Sequence, residues 1–182
     1  KLKIYPSNID TLINRSNFLL NKSNTGKNIK NEKKYPCSIF IVGMPRSGTT
    51  LVESIISLNE KVQDLGEINI FEKAYQESIK NDQELSLTDL YLQKIEELGI
   101  NSSITTNKWL YNYLYAGIIA NQISNSKIIH CLRNPLDNIL SITRANFSTG
   151  NSYSSSLVDC TKVYLNQKKV MDTYKNLFSS SI

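Results

Sequence analysis

The chain has 182 residues, of which 40% are hydrophobic and 20% charged, and a formal net charge of +5. That suffices for one globular domain with a real core, and the modest positive charge suits an anionic ligand or acidic substrate. No apolar run approaches bilayer length, Lys1 onward does not read as a signal peptide, and nucleic-acid binding lacks the aromatic–basic interleaving it needs.

Residues 1–36 read as a peripheral N-terminal helix and linker, with an amphipathic helix over Ile9 to Leu20 and a polar, lysine- and asparagine-rich stretch from Asn21 to Lys34. The main domain is expected over 37–182. It opens with a run of β-branched and aromatic residues that reads as a buried strand over 38–43. Gly43 and Gly48 then bracket a loop at the G-x-x-x-x-G spacing of a phosphate-binding loop, followed by Thr49 and Thr50. Backbone N–H groups at the start of a helix near Thr49 suit an oxyanion, and the glycines let the backbone come close. Thr49 stands where a Walker A loop carries its lysine; the positive charge lies inside the loop, on Arg46. An arginine there offers phosphate or sulfate a planar fork in place of a point charge. As a bland alternative, Arg46 is an ordinary tight-turn arginine, and Thr49 and Thr50 only cap the helix.

That helix is expected over about 49–58. A turn at Asn59-Glu60 leads into an extended piece ending at Gly66-Glu67, then a helix over about 69–79. Ser86 suits an N-cap for a helix running to Leu98, which Gly99 ends. A short strand over 104–107, a helix over 112–122 and an apolar strand over 127–132 follow. Pro135 suits the first turn of a helix to about Arg144, with Asp137 as a first-turn acid favoured by the helix dipole. Residues 147–156 read as a Ser/Gly/Asn loop, and a last long helix runs to about Phe178. Most of the tyrosines read as packing.

Strands alternating with helices imply an α/β fold with a central parallel sheet, in which ligands sit at the carboxyl ends of the strands. Pro45–Thr50, Lys108 and Arg133 each follow an expected strand, so three strand ends direct basic or anion-cradling groups toward one crevice. Cys37, Cys131 and Cys160 show no metal-ligand spacing and read as free thiols, which favours a reducing, cytoplasmic setting. His130 is the single histidine, so zinc chemistry and a Ser-His-Asp triad are not expected; it reads as a packed core residue.

Several blocks together carry a family resemblance. Pro45-Arg46-Ser47-Gly48-Thr49-Thr50 resembles the loop with which sulfotransferases hold the 5′-phosphosulfate of PAPS (3′-phosphoadenosine 5′-phosphosulfate). Leu65-Gly66-Glu67 is similar to the Gly-Glu of tyrosylprotein sulfotransferases. Asn107-Lys108-Trp109-Leu110-Tyr111-Asn112 resembles the family's D-K-x-P-x-N, and Lys127 to Asp137 with Ser141 resembles its 3′-phosphate site, R-x-P followed by a serine. The string around the loop is similar to bacterial sulfotransferases that often carry tetratricopeptide repeats upstream, and more loosely to tyrosylprotein sulfotransferases. Two residues depart from the pattern: Asn107 replaces the usual aspartate and Leu110 the usual proline. Family members also continue beyond the equivalent of Ile182 with another strand and a closing loop, so a chain truncated at its C-terminus is expected.

The resemblance implies a three-layer fold like that of P-loop nucleotide-binding proteins, incomplete at its C-terminal end, and transfer of a sulfuryl group from PAPS to a hydroxyl or amine acceptor. The acceptor is unknown: a protein tyrosine, a glycan or a small molecule. It implies cofactor contacts by Pro45, Arg46, Ser47, Gly48, Thr49, Thr50, Arg133 and Ser141, with the last two holding the 3′-phosphate. Glu67 is then the base that takes the acceptor's proton, and Lys108 donates to the bridging oxygen as the S–O bond breaks, alongside Arg46. The base role presumes that partial burial raises the carboxyl's pKa toward the working pH. Glu53 and Glu72 are fallback carboxylates that otherwise read as helix-surface charges. No metal is implied. The rival readings are a non-catalytic nucleotide-binding fragment and a P-loop kinase or NTPase; the second lacks the Walker lysine and a clear magnesium-binding aspartate.

Overall fold

A computed structural model describes residues 8–23, 35–80, 85–145, 147, 151–179 and 181–182. Helix α1 (Ile9–Ser23) precedes strand β1 (Cys37–Gly43), α2 (Thr49–Ile56) and the short β2 (Val62–Asp64). Then come α3 (Ile70–Lys80), α4 (Leu87–Glu96), β3 (Ile104–Asn107), a 3₁₀ turn at Leu110–Tyr115, α5 (Ala116–Gln122), β4 (Ser126–Cys131), α6 (Pro135–Arg144), a 3₁₀ turn at Ser152–Ser155 and α7 (Leu157–Leu177). The strands form one parallel sheet in the order β2-β3-β1-β4. The architecture is α/β, with a central parallel sheet flanked by helices.

The hydrophobic run of β1 explains its place in the middle. Phe40, Ile41 and Val42 are fully buried, as a strand covered on both faces and paired on both edges requires. The edge strands are more polar: Gln63 and Asp64 of β2 and Lys127 of β4 are exposed. Helix starts follow the local chemistry. The Ser86 hydroxyl accepts from the Asp89 N–H at the start of α4, and the Asn134 side chain accepts from the N–H groups of Leu136 and Asp137 just ahead of α6. On one face of the sheet, Phe40, Phe71, Tyr75, Tyr91 and Tyr115 make edge-on and stacked ring contacts 5.2–6.4 Å apart.

Three expectations need correction. The amphipathic segment at the start is not peripheral: Ile9, Leu12 and Leu19 lie in the main core, and α1 packs against α5 and α7. Gly117 of α5 makes this approach possible, because a Cβ there would collide with the Tyr174 ring and come within 2.7 Å of Ser23 Cβ. Arg15 of α1 also forms an ion pair with Glu72 of α3 and donates to the Tyr115 hydroxyl, so Glu72 is a buried, paired acid and not a surface charge. Thirdly, the helix expected over 112–122 begins as the tighter 3₁₀ turn, where the aromatic side chains of Tyr113 and Tyr115 turn inward. Most of the linker reading falls on 24–34, outside the described residues, as do 146 and 148–150 of the expected loop.

Candidate functional site

The loop between β1 and α2 is held in a conformation that side chains rarely adopt. Arg46 has φ +65° and Gly48 φ +99°, so one non-glycine residue in the left-handed region sits inside a turn that glycine then completes. Such strain persists only where neighbours over-determine it. Here they do: the Asn138 amide, 1% exposed, donates to the Pro45 carbonyl at 2.8 Å, Arg133 Nη1 donates to the Arg46 carbonyl at 3.2 Å, and the Ser47 N–H donates to the Met44 carbonyl. Gly43 is required by contact. A Cβ on it would lie 2.6 Å from Ser47 Oγ and 2.8 Å from the Cys131 carbonyl of the neighbouring strand. Helix α2 begins at Thr49 without a side-chain cap, which leaves its first N–H groups to another acceptor. The buried Ser47 hydroxyl also has no partner among the described residues.

Beside this loop, Arg46 Nε donates to Ser141 Oγ at 3.3 Å. Arg46, Arg133, Asp137, Ser141 and Arg144 line an open groove of about 350 Å³. Arg46 and Arg133 come from the ends of adjacent strands, and Ser141 and Arg144 from α6, whose N-terminus Pro135 fixes. Among the described residues, none of these three arginines forms an ion pair. The groove is thus ready to receive an anion. Arg144 and Asn138 were not singled out from the sequence. A signal existed for both: the helix after Arg133-Asn134-Pro135 carries Asn138, Ser141 and Arg144 at i, i+3 spacing, which is one helical face.

On the other side of the loop the electrostatics change. Lys108, at the end of β3, is buried; its Nζ lies 2.8 Å from Glu67 Oε1 and 3.8 Å from Glu53 Oε2. Glu53 Oε1 accepts from Thr106 Oγ1 at 3.0 Å. Burial pushes the Glu53 carboxyl above the ordinary carboxylate range, while Thr106, the Lys108 ammonium and the Gly66 N–H pull it back and Asp64 adds to the rise. The partial burial that a base role at Glu67 presumed is therefore found at Glu53: their side chains are 52% and 6% exposed, respectively. Glu53 is no surface charge, and Glu67 is half in water.

Asn107 shows why the local loop shape survives its departure from aspartate. Its Nδ2 donates to the Ile68 carbonyl at 3.0 Å, while Oδ1 accepts from the Trp109 N–H and the Asn112 amide. A carboxylate has no donor for Ile68. The asparagine thereby ties the segment carrying Glu67 to the end of β3.

His130 lies on β4 and lines a small cavity with Ser47, Arg133 and Asn138. Burial and the nearby Lys175 and Lys168 ammonium groups lower its pKa to about 4, with Asp172 opposing, so the imidazole is neutral near pH 7. Cys131 and Cys160 are buried free thiols and Cys37 is half-buried. No helix among the described residues is long and apolar enough to cross a membrane.

Comparison with known proteins gives these groups a context. A protein from Aquifex aeolicus (strain VF5), described only as uncharacterized, is 29% identical over 167 residues, covering 79% of this chain and 22% of its own length. The chain thus spans about a fifth of that relative. A family model described as the sulfotransferase family matches residues 36–181, from the first residues before β1 to the end of the chain's last turn. With a match over most of its length, the chain belongs to the sulfotransferase family.

Proposed function

We propose that the chain binds PAPS along the carboxyl edge of its sheet and transfers the sulfuryl group to a hydroxyl or amine acceptor. The observation that carries this is the meeting of Arg46 and Arg133, from two strand ends, with Ser141 and Arg144 around a groove holding no ion pair among the described residues. Three exposed cations gathered along one groove raise the local potential and draw an anion to it. The orphaned Ser47 hydroxyl and the uncapped start of α2 fit the same ligand, a nucleotide with phosphate and phosphosulfate groups.

In this reading the loop residues Pro45 to Thr50 and the Arg46 guanidinium bind the transferring end, and Arg133 with Ser141 holds the 3′-phosphate. Arg144 adds a third cation to the groove. Lys108 supplies positive charge where the departing phosphate oxygen becomes negative, an interaction stronger in the transition state than in the ground state. Glu67, half in water and within reach of an arriving acceptor, takes the acceptor's proton. Thr49 in the place of a Walker lysine disfavours nucleoside triphosphate hydrolysis. Any upstream tetratricopeptide repeats and the acceptor class are part of this proposal, since the chain spans 22% of the relative it matches.

The test is binding followed by transfer. Calorimetry should find PAPS and its desulfated product bound more tightly than adenosine 5′-phosphosulfate, which lacks the 3′-phosphate. Radiolabelled PAPS with an acceptor panel should then yield a labelled product. Binding without transfer would leave a nucleotide-binding module; equal affinity for all three ligands would remove the 3′-phosphate site.

A further inference from the structure

Gln167 interrupts an apolar stripe. On α7 the buried residues Val163, Tyr164, Val170, Met171 and Tyr174 recur at helical spacing, and Gln167 sits among them at 2% exposed. Its Nε2 has no hydrogen-bond partner among the described residues. A buried amide donor left unpaired destabilises a fold, and a leucine would suit the stripe better. Gln167 lines a small cavity together with Ser47 of the anion-binding loop, His130 of β4 and Asn138 of α6. Ser47 Oγ, both His130 nitrogens and Asn138 Oδ1 are likewise buried without partners among the described residues. Buried polar atoms of this kind are scarce in native folds, yet here four elements bring them to one place. We propose that the cavity binds one water molecule, and that through it Gln167 is a positioning residue for the loop that receives the nucleotide. The positioning role rests on the reading of that loop as the nucleotide site.

Size and chemistry both select water. The cavity leaves about 10 Å³ for the centre of a water-sized sphere, which is room for one such molecule. The lining offers donors and acceptors in the numbers that a water can use. Gln167 Nε2 and the single N–H of the neutral imidazole donate, while Asn138 Oδ1 and Ser47 Oγ accept. The water thus receives two hydrogen bonds and gives two, and Ser47 keeps its own O–H for the nucleotide. An ion fits less well. Arg133 and Lys168 also line the cavity and repel a cation, and the Asn138 carbonyl oxygen repels an anion. The water adds to holds already present. Asn138 Nδ2 donates to the Pro45 carbonyl at 2.8 Å and Arg133 Nη1 to that of Arg46 at 3.2 Å, so both fasten the loop's backbone. The water fastens a side chain, Ser47, between the two left-handed residues Arg46 and Gly48, and carries the restraint to α7.

The test begins with the full-length protein free of nucleotide, so that the site is judged apart from sulfuryl transfer. A high-resolution crystal structure should show a water in this cavity within hydrogen-bond distance of Gln167 Nε2 and Asn138 Oδ1. A dry cavity, or a Gln167 amide bonded directly to Ser47 or Asn138, overturns the proposal. Gln167→Met keeps the volume and removes the donor. Calorimetry should then find adenosine 3′,5′-bisphosphate bound about two- to tenfold more weakly, the effect of one lost hydrogen bond. In steady-state assays the loss should fall on KM for PAPS and not on kcat. A glutamine that serves packing alone would shift the melting temperature and leave affinity where it is, so unchanged affinity overturns the positioning role. If Gln167→Met does not fold, His130→Phe removes another partner of the same water and should weaken binding in the same direction; no weakening there also overturns it. A parent protein that binds neither nucleotide sinks the proposed function and the positioning role with it, while the crystallographic water still decides the site.

Discussion

Along the carboxyl edge of the sheet, the β1–β4 side and the β2–β3 side follow opposite electrostatic plans. On the first, Arg46, Arg133 and Arg144 surround an open groove, and among the described residues they have no ion pair. On the second, Lys108 is buried between two carboxylates, those of Glu67 and Glu53. The contrast separates two kinds of work. A ligand that arrives already charged is best met by cations with nothing else to bind, since no existing pair has to be broken. Charge that appears only during reaction is better met by a group held in place and kept ionised beforehand, because only interactions stronger in the transition state accelerate the chemistry.

Substitutions that separate binding from turnover break or sharpen this division. The largest effect is expected on the paired side. Lys108→Ala and Glu67→Gln should each lower kcat by about 10²–10⁴-fold while the nucleotide Kd stays nearly constant. Single-turnover kinetics beside calorimetry would check this, and a near-normal Glu67→Gln enzyme would send the base role to Glu53. On the open side, Arg133→Ala should weaken the 3′-phosphorylated nucleotide about tenfold more than adenosine 5′-phosphosulfate, from a charge-assisted contact of roughly 1.5–3 kcal/mol. Equal losses for both ligands would put Arg133 outside the 3′-phosphate site.

The pH dependence of stability offers a third comparison. His130 titrates at about 4 in the fold against about 6.5 unfolded, so its contribution is full above pH 6.5 and is lost as pH falls toward 4. Allowing for its partial exposure, that loss is on the order of 1–2 kcal/mol. The raised Glu53 carboxyl works in the opposite sense: its contribution is present at low pH and lost as pH rises through its folded value. Denaturant melts between pH 4.5 and 7 should therefore show a flatter acid limb in His130→Asn and a steeper one in Glu53→Gln. Parallel limbs in all three proteins would contradict both assignments. The smallest effect concerns backbone strain. Arg46→Gly relieves a left-handed non-glycine residue, and the relief of about 1–2 kcal/mol is partly offset by glycine's chain entropy. Melts should show a gain of up to about 1 kcal/mol, together with loss of nucleotide binding. A destabilised Arg46→Gly would mean that the guanidinium contributes more to the fold than its strain removes.

Much of the fold was legible because its local signals agree. The apolar β1, the glycines at 43 and 48, the Ser86 cap and Pro135 all point to the elements that form, and the groups following the strands lie at the sheet's carboxyl edge. What could not be read is what depends on partners distant in sequence. A glutamate in a helix reads as a surface charge; Thr106 and Lys108, more than fifty residues on, help make burial of Glu53 tolerable, and Arg15, together with Gln76 one turn along, does so for Glu72. Helix α2 is the sharpest case, because Leu51 and Ile55 face solvent while Glu53, beside the half-buried Val52 and Ile56, is buried. Helix α1 has a readable stripe, but nothing local says that its partner is α7.

The contact between α1 and α7 also has a consequence for the order of assembly. Asn8 and Ser152, joined by hydrogen bonds, are 144 residues apart, and α1 packs against a helix that begins later still. Contacts of such separation form slowly, since a long loop must close before they contribute. During synthesis α1 emerges well before α7 and must wait for it to complete their packing, with part of the surface of Ile9, Leu12 and Leu19 uncovered in the meantime. Helix α1 is thus made well before its packing is complete, and that interval is when a chaperone has most to hold.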